Sequence, residues 1–66
     1  MHLKTFTDDE AVIVISADEL AFLHHAVVEM RNAVPKSEFR VRTGGTFELS
    51  EVMLQQLNGI LDEIEG

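Results

Sequence analysis

The first sixteen residues contain a short alternating segment and a β-branched apolar run, both of which are typical of β-strands. Residues 2–6 alternate between the two faces of a strand, and the polar residues 7–10 then supply turn chemistry. Residues 11–15 are all apolar, and four of the five are β-branched. We therefore predict two strands in residues 1–16. The second strand is apolar on both faces, so it lies centrally in a sheet or presents one face to a partner.

The pattern changes to a helical period after Ser16. Ser16 and Glu19 have the spacing of a capping box, in which each side chain accepts a hydrogen bond from the other residue's backbone N–H. Pro35 cannot continue a helix and moves Val34 out of helical dihedrals. We predict a helix from Ala17 to Ala33. Its apolar stripe consists of Leu20, Leu23, Val27, Met30 and Val34.

Alternation returns in residues 38–43 and predicts a third strand. Phe39, Val41 and Thr43 would face the core, with the intervening arginines on the other face. Residues 44–45 are both glycine and end this strand, because glycine tolerates positive φ.

A second helix follows, beginning between Thr46 and Ser50. Its polar side carries Glu51, Gln55, Asn58 and Asp62. Its apolar stripe consists of Leu49, Met53, Leu57, Ile60 and Ile64 and is widened by Leu54 and Leu61.

The resulting order ββαβα predicts an α+β fold with a single domain over residues 1–66. Its simplest packing is a three-stranded, mostly antiparallel sheet that carries both helices on one face. The other face of this sheet would be uncovered, and a bare apolar patch of this kind commonly marks an interface.

The short length and the lack of cysteine suggest that association with a partner would stabilise the fold. Its 66 residues suffice for one small core, and the absence of cysteine excludes disulfides and thiolate metal sites. No apolar run approaches the roughly 18 residues of a membrane helix. The N-terminus lacks the layout of a signal peptide, so we expect a cytoplasmic protein with no membrane partner.

The charge is strongly negative and unevenly distributed. Twelve acidic and five basic side chains give a net charge of −7, which argues against a nucleic-acid partner. Four of the five basic residues lie within residues 31–42, and none follows Arg42.

Catalytic and metal chemistry finds little support in the sequence. His25 and Glu29 share a helix face, but a closed zinc site needs four ligands, so we interpret His25 as a solvated histidine. No serine lies in a nucleophile-elbow motif, and the acidic clusters fall in a turn and at a chain end. We predict no catalytic, cofactor-binding or metal-binding residue, and no enzyme. The enzymatic alternative would need a site assembled across a dimer from His24, His25 and acids.

Two apolar residues of the first helix lie off its stripe. Phe22 and Val28 either pack under the loop before the third strand or meet another chain. Charged residues of the first turn and of the third strand complete the predicted partner-binding set, which is Phe22, Val28, Asp8, Asp9, Glu10, Arg40 and Arg42.

Part of the chain resembles a group of small bacterial proteins. These carry a helix reading L-x-N-A-L-N-E-V, then E-F-x-x-R-x-G and another helix. The likeness covers residues 20–44, with His25 in place of an asparagine and residues 45–47 as an extension before the second helix. The group has no established activity, so the resemblance implies the architecture and no site. The matching positions are Leu20, Leu23, His25, Ala26, Val27 and Glu29, then Glu38, Phe39, Arg42 and Gly44.

These features favour a small acidic, non-enzymatic protein-interaction module. Its most concrete form is an inhibitor of a basic bacterial effector, of the immunity or anti-defence type, by analogy of size and charge. The alternative is a homodimeric structural or regulatory module.

Overall fold

The computed structural model describes all 66 residues and contains a two-stranded antiparallel sheet and three α-helices. The α+β class is as predicted, but the three-stranded sheet, the two-helix count and the order ββαβα are wrong. None of the helices is long and apolar enough to cross a membrane. In chain order the elements are β1 (His2–Phe6), β2 (Ala11–Val14), α1 (Ala17–Ala33), a short 3-10 turn (Lys36–Glu38), α2 (Phe39–Thr43) and α3 (Phe47–Glu65).

The two strands form a hairpin, as the period-two pattern predicts. The pairing is irregular between Leu3 and Thr5, which shifts the register by one residue. In the turn, the Thr7 N–H donates to the Glu10 carbonyl at 2.8 Å and the Thr7 hydroxyl accepts from the Glu10 N–H at 3.1 Å. Every residue of both strands is exposed. The prediction that the second strand lies centrally in a sheet is wrong, because β2 pairs with β1 alone.

Helix α1 begins and ends where local sequence signals place it. The Ser16 Oγ accepts from the Glu19 N–H at 3.1 Å, and the Ser16 N–H donates to the Glu19 Oε1 at 3.0 Å, so the predicted capping box is confirmed. Val34 is extended, with φ −99° and ψ 124°, as the following proline requires. The predicted bounds Ala17–Ala33 are confirmed.

The predicted third strand over residues 38–43 is wrong, because this segment is helical. Residues four apart share a side in a strand and in a helix alike, so Phe39 and Thr43 can both face inward in either structure. Val41 distinguishes the two, since a strand would bury it and it is 90% exposed. The Thr43 Oγ1 donates to the Phe39 carbonyl at 2.7 Å, one helical turn back. Gly44, with φ 84°, ends the helix as a left-handed cap.

The two long helices pack against each other and form the body of the molecule. The last turn of α1 is hydrogen-bonded to the first turn of α3, so the helices run antiparallel. Phe39 of α2 lies between them, 1% exposed, with its ring edge-on to Phe47 at 5.3 Å between centroids. Only Leu20, Phe39 and Ser50 are buried in the whole chain.

The molecule is wide and flat. Its principal extents are 34 × 32 × 16 Å and its radius of gyration is 13.2 Å. A compact domain of this length would have a radius of gyration of roughly 11 Å. The helices and the hairpin therefore lie beside one another and bury little of each other.

Candidate protein interaction surfaces

One side of the helical pair is apolar and open. Leu49 and Met53 of α3 line a groove together with Val27 and Met30 of α1, and Phe39 closes it from α2. Leu23, Ile60 and Ile64 continue the two rows by helical spacing. We call this surface the apolar face and define it by Leu23, Val27, Met30, Leu49, Met53, Ile60 and Ile64.

The side chains of the apolar face are largely in contact with solvent. Leu49 is 50% exposed, Ile60 49% and Ile64 54%. The prediction that these residues and Met53 belong to the packed stripe of the second helix is wrong, whereas Leu54, Leu57 and Leu61 of the same predicted stripe are half-buried. Phe47 and Ser50 lie on the same side of α3 as these leucines.

In α1, too, the packed side is rotated away from the predicted apolar stripe. Its packed side carries Leu20 and Val27, but also the polar residues His24 and Arg31, which recur at a spacing of three or four. Leu23, a member of the predicted stripe, is 38% exposed. Two polar residues thus occupy interior positions of α1, while apolar residues are displaced toward the open side.

The opposite side of the pair is polar. Glu51, Gln55, Asn58 and Asp62 are all exposed, as the sequence pattern predicts for the wet side of this helix. A layer with one polar and one apolar side has the character of half a domain, because stable domains bury the apolar side of each layer against another.

The hairpin carries the second notable surface. Asp8, Asp9 and Glu10 are exposed at its turn, and Phe6 beside them is 70% exposed. The only ion pair in the protein joins the Met1 ammonium to Glu19 at 2.9 Å, so none of these three carboxylates has a basic partner within the chain. We call Phe6, Asp8, Asp9 and Glu10 the hairpin tip.

The fold changes the titration of Glu19. Hydrogen bonds from the Ser16 N–H, from the Met1 ammonium and from the Ser16 hydroxyl lower the pKa of its carboxyl to about 2. These contacts stabilise the start of α1 and leave the other carboxylates free.

The remaining predicted partner-binding residues differ in their exposure and in their neighbours. Phe22 is 75% exposed on the outward side of α1, next to Ala26 and Glu29, so it does not pack under a loop. Val28 is half-buried at the edge of the α1–α3 contact.

Arg40 and Arg42 are exposed on α2, where a strand was expected to carry them, and neither forms an ion pair. Arg31, which the sequence groups with them, is turned inward. Its Nη1 donates to the Phe47 carbonyl at 3.0 Å and to the Ser50 Oγ at 2.6 Å, and its guanidinium lies 4.0 Å from the Phe47 ring centroid. The Lys36 ammonium lies over the same ring at 5.2 Å. Within the basic segment 31–42, the residues turned outward are therefore those of 36–42, and Lys4 on β1 is the other exposed basic residue.

The histidine pair forms no site. The rings of His24 and His25 diverge, with centroids 5.7 Å apart and an interplanar angle of 58°. The buried Nε2 of His24 has no hydrogen-bond partner. No three histidine, aspartate or glutamate side chains lie close enough together to bind a metal ion.

The apolar face is the feature that sequence reasoning missed. Helix α3 carries more apolar residues than one packed stripe can use, because Leu54 and Leu61 widen the stripe beyond a single contact. That excess is the signal that could have revealed two apolar sides. Comparison with known proteins identified no family model, curated protein or solved structure that matches this chain.

Proposed function

We propose that this chain is a non-enzymatic protein-interaction module, most concretely an inhibitor that binds a basic bacterial effector and blocks it. The observation that carries the proposal is the hairpin tip, where three carboxylates without basic partners adjoin an exposed phenylalanine. The tip lies on a hairpin whose residues are all exposed, so a partner can approach it from several directions.

Charge supports the basic nature of the partner. The chain carries a net charge of −7, and its acids are almost entirely unpaired. A field of one sign accelerates the encounter with an oppositely charged protein and disfavours acidic competitors. Asp8, Asp9 and Glu10 would supply this steering at close range.

The apolar residues of the hairpin would supply the short-range contact. Phe6 is 70% exposed, and Ile13, which lies on the same face of the hairpin, is 45% exposed. A large aromatic side chain that enters a desolvated pocket of the partner supplies much of the binding energy at many interfaces. Inhibition would then follow from coverage of the effector's own functional surface.

The test compares two variants with the same change of net charge. In the first, Asp8→Asn, Asp9→Asn and Glu10→Gln neutralise the hairpin tip. In the control, three exposed acids away from the hairpin tip and from the last turns of α3 are neutralised by Glu29→Gln, Glu38→Gln and Glu51→Gln. Proteins recovered from the native host by the wild type are purified, and their association rates with each variant are measured.

We expect the tip variant to lower the association rate with a basic partner by about tenfold at low salt, while the control lowers it much less. Phe6→Ala should mainly raise the dissociation rate, because it removes a buried anchor. Equal effects of the two triple variants, or a partner that is not basic, would contradict the proposal.

A further inference from the structure

The protein has more accessible surface than a folded monomer of its mass exposes, and the apolar face contributes to this excess together with the exposed hairpin. The accessible surface is 5320 Å² for a chain of 7.4 kDa. The scaling law for folded monomers gives roughly 4,200 Å² at this mass, so the excess is roughly 1,100 Å². A protein interface of standard size buries about 800 Å² on each partner. One further interface would therefore remove most of the excess.

The two ends of the helical pair differ in charge. Arg40 and Arg42 lie beside the start of α3, whereas Asp62, Glu63 and Glu65 lie in its last turns. The 19 residues of α3 separate these ends by about 28 Å. The acids at the far end also face the negative end of the helix dipole, and no base of the chain pairs with them. The start of α3 thus has bases beside it together with the acids Glu38, Glu48 and Glu51, whereas its last turns carry acids and no base.

We propose that a second copy of this chain covers the apolar face, with the two α3 helices antiparallel about a two-fold axis. Two-fold symmetry brings the same patch of both copies together, so one apolar side covers the other. The antiparallel orientation places Arg40 and Arg42 of each copy near the acidic last turns of α3 in the other. A parallel orientation would instead bring arginines against arginines. The product is a four-helix bundle, in which each copy contributes two helices.

The proposed dimer interface is separate from the surface that is proposed to bind a basic partner. The apolar face lies on the helices, and the hairpin tip lies on the turn between β1 and β2. Failure of the dimer would leave binding at the hairpin tip untouched, and the two can be measured independently.

Sedimentation of the full chain over roughly 1 to 200 µM tests the self-association itself. We expect a species of twice the 7.4 kDa chain mass to form within this range. A chain that remains monomeric throughout overturns the proposal.

Two substitutions on neighbouring residues of α3 locate the interface. Met53, which is 43% exposed, belongs to the apolar face, while Val52, 49% exposed, lies about 100° away around the helix. Met53→Asp should weaken the dimer by roughly 100-fold or more, because it buries an unpaired charge. Val52→Asp should leave the dissociation constant within about threefold of the wild type. Both sites are half-exposed in one copy, so circular dichroism should find both variants folded. Equal effects of the two substitutions overturn the assignment of the face.

A charge exchange tests the orientation. One variant carries Arg40→Glu and Arg42→Glu, and the other carries Asp62→Lys and Glu63→Lys. Each alone places like charges at both ends of its dimer and should self-associate at least about tenfold more weakly than the wild type. A mixture of the two restores opposite charges at both ends, so a heterodimer should form. Absence of the heterodimer overturns the antiparallel arrangement.

Discussion

Arg31 is the residue whose removal most directly tests how the two long helices are held together. Its Nη1 donates to the Phe47 carbonyl at 3.0 Å and to the Ser50 Oγ at 2.6 Å, and its guanidinium lies 4.0 Å from the centre of the Phe47 ring. All of these contacts join the last turn of α1 to the first turn of α3. Arg31→Met removes them while an unbranched apolar side chain keeps the stem packed.

The expected loss follows from these contacts. Hydrogen bonds that involve a charged group contribute about 1.5–3 kcal/mol each, and a cation–π contact adds about 0.5–2 kcal/mol. Arg31 is only half-buried, so solvent screens its interactions and reduces their contribution. We therefore expect the free energy of unfolding to fall by about 2–3 kcal/mol. A domain of this length has a total stability of roughly 3–10 kcal/mol. The substitution therefore removes a large share of it and should lower Tm by roughly 10–20 °C.

The measurement is thermal and urea unfolding followed by circular dichroism. It is made at several protein concentrations, because association contributes to apparent stability. Arg31→Lys serves as the control, since a lysine keeps the charge but loses the planar guanidinium that lies over the Phe47 ring, and it should lie between the wild type and Arg31→Met. A stability of Arg31→Met within about 0.5 kcal/mol of the wild type would refute the role assigned to Arg31.

Two further predictions concern polar groups of α1. His24→Leu should raise the free energy of unfolding by about 1 kcal/mol, because it replaces a buried Nε2 that has no hydrogen-bond partner, whereas His25→Leu at the exposed neighbouring position should change it little. A loss of stability in His24→Leu under urea would contradict this. The pKa of Glu19 falls from 4.5 to about 2 on folding, so its contribution is complete above pH 4.5 and is lost as the pH falls toward 2. Glu19→Gln should flatten the pH dependence of unfolding in that window, and an unchanged slope would count against it.

Local signals in the sequence predict the first half of the fold well. The β-branched run of residues 11–15 and the polar turn before it identify the hairpin. The capping box of Ser16 and Glu19 and the stop at Pro35 fix both ends of α1. Each of these signals depends on residues that are close in sequence, so no tertiary contact is needed to interpret them.

The error at residues 38–43 has a different origin. The spacing of Phe39 and Thr43 fits a strand and a helix equally, and only Val41 distinguishes them. Apolar character at Val41 favours the strand, yet its side chain is 90% exposed on α2. Gly44 fits both the end of a strand and the left-handed cap of a helix. A third strand would also need a neighbour, and that depends on the whole fold.

The position of the apolar face could not be predicted because it depends on how α1 and α3 are rotated against each other. Arg31 is drawn inward by the Phe47 carbonyl and ring, and the phase of α1 follows from that contact. Leu23 and Met30 are then displaced toward the open side. Hydrophobic periodicity identifies which residues share a side of a helix, but polar contacts between helices decide which side is packed.

The exposed residues of α3 and the thin core have a common physical explanation. Leu20 and Phe39 are the only buried hydrophobic residues of the chain, too few for a domain that lacks disulfides. The seven residues of the apolar face would roughly complete a core if a second layer lay over them, since domains are built from packed layers. The apolar content needed for a stable core is therefore present in the sequence but lies on the surface of one copy. Self-association would then add to the apparent stability of the folded chain, so polar substitutions at Met53 or Ile60 should lower Tm only at concentrations at which the wild type is dimeric.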